Sequence, residues 1–259
     1  MPIRLAINGA LGRMGRRLTA LASGDPRFAI AALLEASGHP GLGTDPEAAG
    51  VPVIAALPVG IDVCVDFSVP AATRARIEEC RGRRVAMAIG TTGLTADDVA
   101  ALDRAAAEIP ILYARNMSAG VAALALTLPD LVRGLGPGTQ AEIVEIHHGQ
   151  KVDAPSGTAL ALGEVVAAAL GTTLDRAVHG RHGHVGARTV PEIGFHAVRG
   201  GDEAGVHTVY LFNGSERIEV THRALSRDVF AAGALRAAAF VAGRPAGRYD
   251  IADAVRSPA

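Results

Sequence analysis

The stretch Ile3-Arg4-Leu5-Ala6-Ile7-Asn8-Gly9-Ala10-Leu11-Gly12-Arg13-Met14-Gly15 decides how the chain is read. Ile3 to Ile7 is a short, mostly apolar run that suits a buried strand. It leads into three glycines spaced GxxGxxG, and residues 13–23 then read as a helix. In this setting Gly9 allows a tight turn, Gly12 lets the backbone approach a pyrophosphate, and Gly15 lets the helix close on the strand. The first N–H groups of the helix then face an anion. The spacing departs from the commoner GxGxxG, and glycine turns also occur in α/β folds that hold no ligand. A second mark points the same way. The apolar run 28–34 ends at Glu35, about where an acid for a ribose hydroxyl is expected, ~20 residues past the turn.

Outward from this unit the pattern repeats. Strands are predicted over 63–67, 85–89 and 111–114, with helices over 71–81 and 96–108 between them. Such a βαβα rhythm implies a parallel, doubly wound, Rossmann-like sheet. Ligands bind outside the carboxyl ends of strands in such sheets. Gly90-Thr91-Thr92 and Ala114-Arg115-Asn116-Met117 stand at two of those ends. The first cluster is assigned to nicotinamide and ribose contact, whereas Thr95 and Ser118 read as helix caps.

After residue 118 the rhythm changes. A helix is predicted over 119–135, a strand over 142–147 and a helix over 156–170. Extended runs follow over 193–198, 206–212 and 217–222, with Asn213-Gly214 marking a hairpin. Residues 180–190 read as a mobile glycine-rich loop, and 228–241 as a last Ala-rich helix that could return to the first domain.

Composition limits the function classes. Hydrophobic residues make up 49% of the 259, enough for a sizeable core, while aromatics are 3%. The core is therefore aliphatic, which suits strands buried on both faces. A formal net charge of −1 provides no basic footprint for nucleic acid. Cys64 and Cys80 form neither a CxxC pair nor a disulfide framework. No run reaches the ~18 apolar residues of a membrane span, and the opening segment is too short for a secretory leader. A cytoplasmic protein is expected.

The most informative run is Glu145-Ile146-His147-His148-Gly149-Gln150-Lys151-Val152-Asp153-Ala154-Pro155-Ser156-Gly157-Thr158. Two histidines close a strand, a lysine follows, and Ser-Gly-Thr opens a helix. Histidine can deliver a proton near neutral pH. The N–H groups of Gly157 and Thr158, at a helix N-terminus, can grip a carboxylate. Each part has an ordinary reading: a satisfied polar pair, a solvated lysine, a serine N-cap. Together they describe a site for a small anion that needs protonation.

This run, HHxxKxDxPSGT, resembles the signature of the dihydrodipicolinate (4-hydroxy-tetrahydrodipicolinate) reductase family. Matching pieces recur in family order from Gly9 through Val65-Asp66-Phe67-Ser68, Asn116-Met117-Ser118 and Arg199-Gly200-Gly201-Asp202 to Ser226-Arg227. The resemblance implies a dinucleotide-binding domain over 1–118 plus 228–259. A substrate-binding and oligomerisation α+β domain on a mixed sheet would span 119–227, usually in a homotetramer. It implies hydride transfer from NAD(P)H to a cyclic imine dicarboxylate with loss of water. His147 would be the acid/base and Lys151 a second proton donor or charge stabiliser. His148, Ser156, Gly157, Thr158 and Arg227 would bind substrate. Gly9, Ala10, Leu11, Gly12, Arg13, Met14, Glu35, Gly90, Thr91, Thr92, Ala114, Arg115, Asn116 and Met117 would line the cofactor, and no metal is implied.

Three departures stand out. Ala36 replaces the basic residue that often follows the ribose-binding acid, which favours NADH over NADPH. Gly149-Gln150 stands where a basic residue or histidine is common, and Met117 replaces a usual Phe. Two rival readings remain at this point: an aspartate-dehydrogenase-like amino-acid dehydrogenase, and a dinucleotide-sensing protein without catalysis. A metal reading of His179, His182 and His184 has no recognised ligand spacing behind it.

Overall fold

The first strand and its glycine turn start a regular alternation: β1 (Ile3–Asn8), α1 (Arg13–Ser23), β2 (Phe28–Leu34), β3 (Val53–Ile54), β4 (Val63–Asp66), α2 (Pro70–Arg83), β5 (Ala86–Ile89), α3 (Ala96–Ala106) and β6 (Pro110–Tyr113). The chain then builds α4 (Ala119–Leu135), β7 (Gln140–His147), α5 (Gly157–Ala169), β8 (Ala177–His179), β9 (Ile193–Arg199), β10 (Val206–Asn213) and β11 (Glu216–Arg223). It closes with α6 (Asp228–Val241), β12 (Gly247–Tyr249) and α7 (Ile251–Arg256). This computed structural model describes residues 1–257. The chain divides into two units, Met1–Ala119 joined by the residues from Arg227 onward, and Gly120–Ser226.

The first unit carries a seven-stranded sheet in the order β12-β6-β5-β4-β1-β2-β3. Every pairing in it is parallel. Leu5, Ala6, Ile7, Val63, Cys64, Val65, Met87, Ala88 and Ile89 are fully buried. Helices therefore cover both faces, which explains why these strands read as continuous apolar runs without alternation. α6 returns from the end of the second unit to lie against α1 and β4 to β6. Its small residues make this approach possible: a Cβ on Gly233 would fall 1.7 Å from the Met117 carbonyl oxygen.

The second unit carries a mixed five-stranded sheet, β11-β10-β7-β9-β8. β10 pairs antiparallel with β7 and β11, while β9 pairs parallel with β7 and β8. β7 alternates strictly, with Ala141, Ile143, Glu145 and His147 on its buried face. The first two join Phe195, Val209 and Leu211 beneath α4 and α5 in one aliphatic core. Gly163 lets α5 close on the sheet, since a Cβ there would meet the Phe195 ring at 2.4 Å.

Four elements lie outside the sequence reading: β3, β8, β12 and α7. The strands are two or three residues long, too short for a period to register. The predicted loop over 180–190 is tied down at its base. Arg181 pairs with Glu142 and Glu192, and Arg188 pairs with Glu142. Among the described residues no helix is long and apolar enough to cross a membrane.

Candidate active site

In the first unit, a candidate site lies at the carboxyl ends of β1, β4 and β5. Strand order reverses between β1 and β4, the switch point where open α/β sheets hold ligands. Gly9 adopts φ +78°, and a Cβ there would sit 2.4 Å from the Phe67 carbonyl oxygen. A Cβ on Gly15 would lie 2.1 Å from the Gly9 oxygen. Gly12 is different: it is exposed at the head of α1, and a Cβ there meets only the Gly9 oxygen at 3.1 Å. Two glycines thus shape the turn, and the third leaves its outer surface bare.

The amides around the turn divide their roles. Ala10 N–H bonds the Leu34 oxygen at 3.2 Å and Gly12 N–H the Gly9 oxygen at 3.0 Å. Leu11 N–H donates to Glu35 Oε1 at 2.8 Å. Of the predicted cradle, the amides of Arg13 and Met14 head α1, where first-turn N–H groups lack intrahelical acceptors. Glu35 is held by one oxygen. It shares a cavity of about 650 Å³ with Leu11, Gly12, Arg16, Ala36 and His39.

A neighbouring cavity of about 440 Å³ is lined by Arg13, Met14, Gly90, Thr91, Thr92, Arg115, Asn116 and Met117, together with Phe67, Ser68 and Phe230. The last three were not expected there. Gly90 is required by the Phe67 ring, which a Cβ would approach to 2.2 Å. Ala114 borders the sheet, its N–H bonded to the Ile89 oxygen at 3.1 Å. The Thr91 hydroxyl points inward, accepting Ser68 N–H at 2.9 Å and donating to Asp66 Oδ2 at 3.1 Å. Asp66 is wholly buried and also accepts from Asn8, Ser68 and Thr73. One carboxylate thereby binds the ends of β1, β4 and β5 to the start of α2. Thr92 is left exposed on the cavity wall.

In the second unit, a separate cluster of polar groups is built on β7. Glu145 and His147 continue the buried row of that strand, two residues apart on one face. His147 Nδ1 lies 2.6 Å from Glu145 Oε2. Arg199 grips Glu145 with two guanidinium nitrogens, each at 2.7 Å. Ser156 N–H donates to Glu145 Oε1 at 3.0 Å, and Ser156 Oγ caps α5 by accepting Ala159 N–H at 3.1 Å. The same hydroxyl lies 2.9 Å from His207 Nε2. α5 thus starts at Gly157 and Thr158, directly after the serine that bonds Glu145. The helix-cap reading of Ser156 is met by this geometry.

Burial pushes the Glu145 carboxyl up, but hydrogen bonds from Arg199, His147 and Ser156 outweigh it and leave it below its usual value. Burial pushes His147 below its ordinary 6.5, against the pull of Glu145 in the opposite direction. Burial also depresses His207, to about 4. Lys151 Nζ meets both Asp153 oxygens, at 2.7 and 2.9 Å. His148 is half-buried, and its N–H bonds the Glu203 oxygen at 3.0 Å.

Arg227 belongs to the first unit, where it is exposed at the N-cap of α6. Among the described residues no group of three or more His, Cys, Asp or Glu could hold a metal ion. His179 stacks instead on Phe195, ring centroids 5.5 Å apart. Glu145, Arg199, His207 and Asp66 were absent from the expected site. Glu145 had a signal, since period two places it beside His147. Arg199 and His207 reach Glu145 and Ser156 through β-ladders, and no local spacing pointed to those contacts.

The family model described as dihydrodipicolinate reductase, N-terminus, matches residues 3–117, and that described as its C-terminus matches 120–255. A 4-hydroxy-tetrahydrodipicolinate reductase of Alkalilimnicola ehrlichii is 48% identical, covering 98% of both chains. Its counterpart in Dechloromonas aromatica is 46% identical over 96% of this chain and 97% of that one. Among solved structures, a dipicolinate-bound dihydrodipicolinate reductase from Paenisporosarcina sp. TG-14 superposes with a TM-score of 0.77, at 22% identity, covering 96% of this chain and 98% of that chain.

Proposed function

The chain belongs to the dihydrodipicolinate reductase family, and from that premise we propose that it reduces 4-hydroxy-tetrahydrodipicolinate to tetrahydrodipicolinate in lysine and diaminopimelate biosynthesis. One hydride and one proton enter the ring system, and the 4-hydroxyl leaves as water. The observation that carries this reading is the joining of His147 to the N-terminus of α5 through Glu145 and Ser156. An acid and an anion clamp would thereby be held on one scaffold. The two rival readings of the sequence give way to membership of this family over the full chain.

When bound, the nicotinamide supplies the hydride. The amides of Arg13 and Met14 would hold the pyrophosphate, and the free oxygen of Glu35 the adenosine ribose. Thr92, Asn116 and Met117 would line the nicotinamide end. Ala36 brings no positive charge to the Glu35 cavity, which favours NADH; Arg16 is the basic group left beside it.

His147 would give its proton from Nε2 as electron density reaches the nitrogen end of the substrate. Such general acid catalysis typically contributes ~10²–10⁴-fold. A bound dicarboxylate would add negative charge and raise His147 in the same sense as Glu145 does. Lys151, freed from Asp153, would stabilise charge or supply a proton. The Gly157 and Thr158 amides, with Ser156, His148 and Arg227, would orient the carboxylates, a separate gain from the proton. A homotetramer working in the cytoplasm completes the proposal.

A coupled assay tests it. Aspartate semialdehyde and pyruvate, with the preceding synthase, generate substrate in place while NADH and NADPH are followed separately. Oxidation that collapses in His147→Ala supports the reading. No oxidation with either cofactor, given active synthase and folded protein, overturns it.

A further inference from the structure

Glu145 is 1% exposed, yet it is the most connected carboxylate of the second unit's site. Its Oε1 accepts from Ser156 N–H and Arg199, and its Oε2 faces His147 Nδ1 and Arg199. We infer that Glu145 is the positioning residue of this reaction: it holds His147 with the proton on Nδ1 and Nε2 directed away, while anchoring the first turn of the carboxylate clamp. The inference rests on the reductase reading of His147 and deepens it.

An ionised carboxylate can only accept, so the imidazole nitrogen 2.6 Å from Oε2 must donate. Nδ1 therefore carries hydrogen in both protonation states, and Nε2 is the atom that gains or gives the exchangeable proton. Gly205 keeps that atom uncovered, because a Cβ there would stand 3.0 Å from Nε2. Arg199 keeps Glu145 an anion with its bidentate grip. The charged and titratable groups facing His147 are Glu145 on its own strand, Arg199 on β9, His207 on β10 and Lys151 in the following loop. His207 in turn faces His222 on β11. Of these only Glu145 contacts Nδ1.

Glu145→Gln separates positioning from simple packing. Oε1 has two fixed N–H donors, whereas Oε2 has one fixed donor and an imidazole that can change tautomer. The amide nitrogen therefore takes the Oε2 place and donates to Nδ1, moving the ring hydrogen to Nε2. The imidazolium also loses its anionic partner.

The test combines kinetics with nitrogen-15 NMR of the His147 ring in the full-length protein. Wild type is expected to show the Nδ1–H tautomer above its titration, and Glu145→Gln the Nε2–H tautomer. In the variant kcat should fall about 10–100-fold, with substrate KM changing less. The high-pH limb of kcat/KM should move to lower pH. Glu145→Asp, which keeps the charge, should recover part of kcat with the wild-type pH profile. An Nε2–H tautomer in wild type overturns the inference without any variant. So does a Gln variant whose losses leave tautomer and pH profile unmoved, as a merely structural role would. If wild type lacks reductase activity, the reductase reading falls, and the wild-type tautomer still decides what Glu145 does to His147.

Discussion

Ser156 Oγ lies 2.9 Å from His207 Nε2, joining the N-cap of α5 to the sheet strand β10. His207 lies on the same face as the fully buried Val209 and Leu211. Burial lowers its pKa from 6.5 to about 4. The unfolded chain therefore takes up a proton between those values while the folded protein does not. Stability rises with pH wherever the unfolded state binds more protons, so this contribution is present above pH 6.5 and lost as the pH falls toward 4. From pH 7.5 to pH 5 the loss amounts to about 2 kcal/mol. His207→Gln, which can still bond Ser156, should show a shallower fall in urea-unfolding free energy over that range. His147 and His222, also lowered by burial, act in the same direction. The difference between wild type and variant isolates His207, and parallel curves would refute the assignment.

The three glycines of the first turn should separate into two classes. Gly15→Ala forces a Cβ into the Gly9 carbonyl at 2.1 Å, and overpacking of this kind costs roughly 1–3 kcal/mol. Thermal unfolding should report a lower Tm. Gly12→Ala meets backbone only at 3.1 Å, on a surface facing the Glu35 cavity. It should leave Tm nearly unchanged and weaken NADH binding about tenfold, read by cofactor fluorescence titration. Equal effects on Tm would show that Gly12 is structural after all.

Cofactor choice should respond to position 36. Ala36 is exposed at the mouth of the Glu35 cavity. Ala36→Arg adds a guanidinium, which binds phosphate in a charge-assisted, often bidentate way. The ratio of kcat/KM for NADPH to that for NADH should rise about tenfold, the effect of roughly 1.4 kcal/mol. A ratio that does not move would place the 2′-phosphate elsewhere.

The loop after His148 should tune substrate affinity. Gly149 and Gln150 are exposed, and a Cβ at Gly149 meets nothing within 4 Å. Gly149→Arg and Gln150→His should therefore be accommodated and bring positive charge near a dianionic substrate. Substrate KM should fall in steady-state assays at low salt, and the benefit should shrink as ionic strength rises. An unchanged KM in both variants would refute the idea.

Local signals in the sequence were enough for much of this protein. The glycine turn, the apolar strand runs and the switch in rhythm near residue 119 are properties of neighbouring residues. α1, α4 and α6 were readable to their ends, and so was the pairing of a histidine strand with a helix opening at Ser156-Gly157-Thr158. These are short-range features, governed by backbone geometry and periodicity. Tertiary structure decided the rest. Arg199 reaches Glu145 across 54 positions and His207 reaches Ser156 across 51. Asp66 gathers Asn8 from 58 positions away. Arg17 pairs with Asp228 over 211 positions, where α6 returns to α1. No periodicity encodes such partners, because they meet only when sheet order and register bring their strands together. The residues named from the sequence are those that would touch ligands. Of the ones it left out, Phe67, Ser68 and Phe230 line a cavity, while Asp66, Arg199 and His207 hold other residues in place, and these roles exist only through long-range packing.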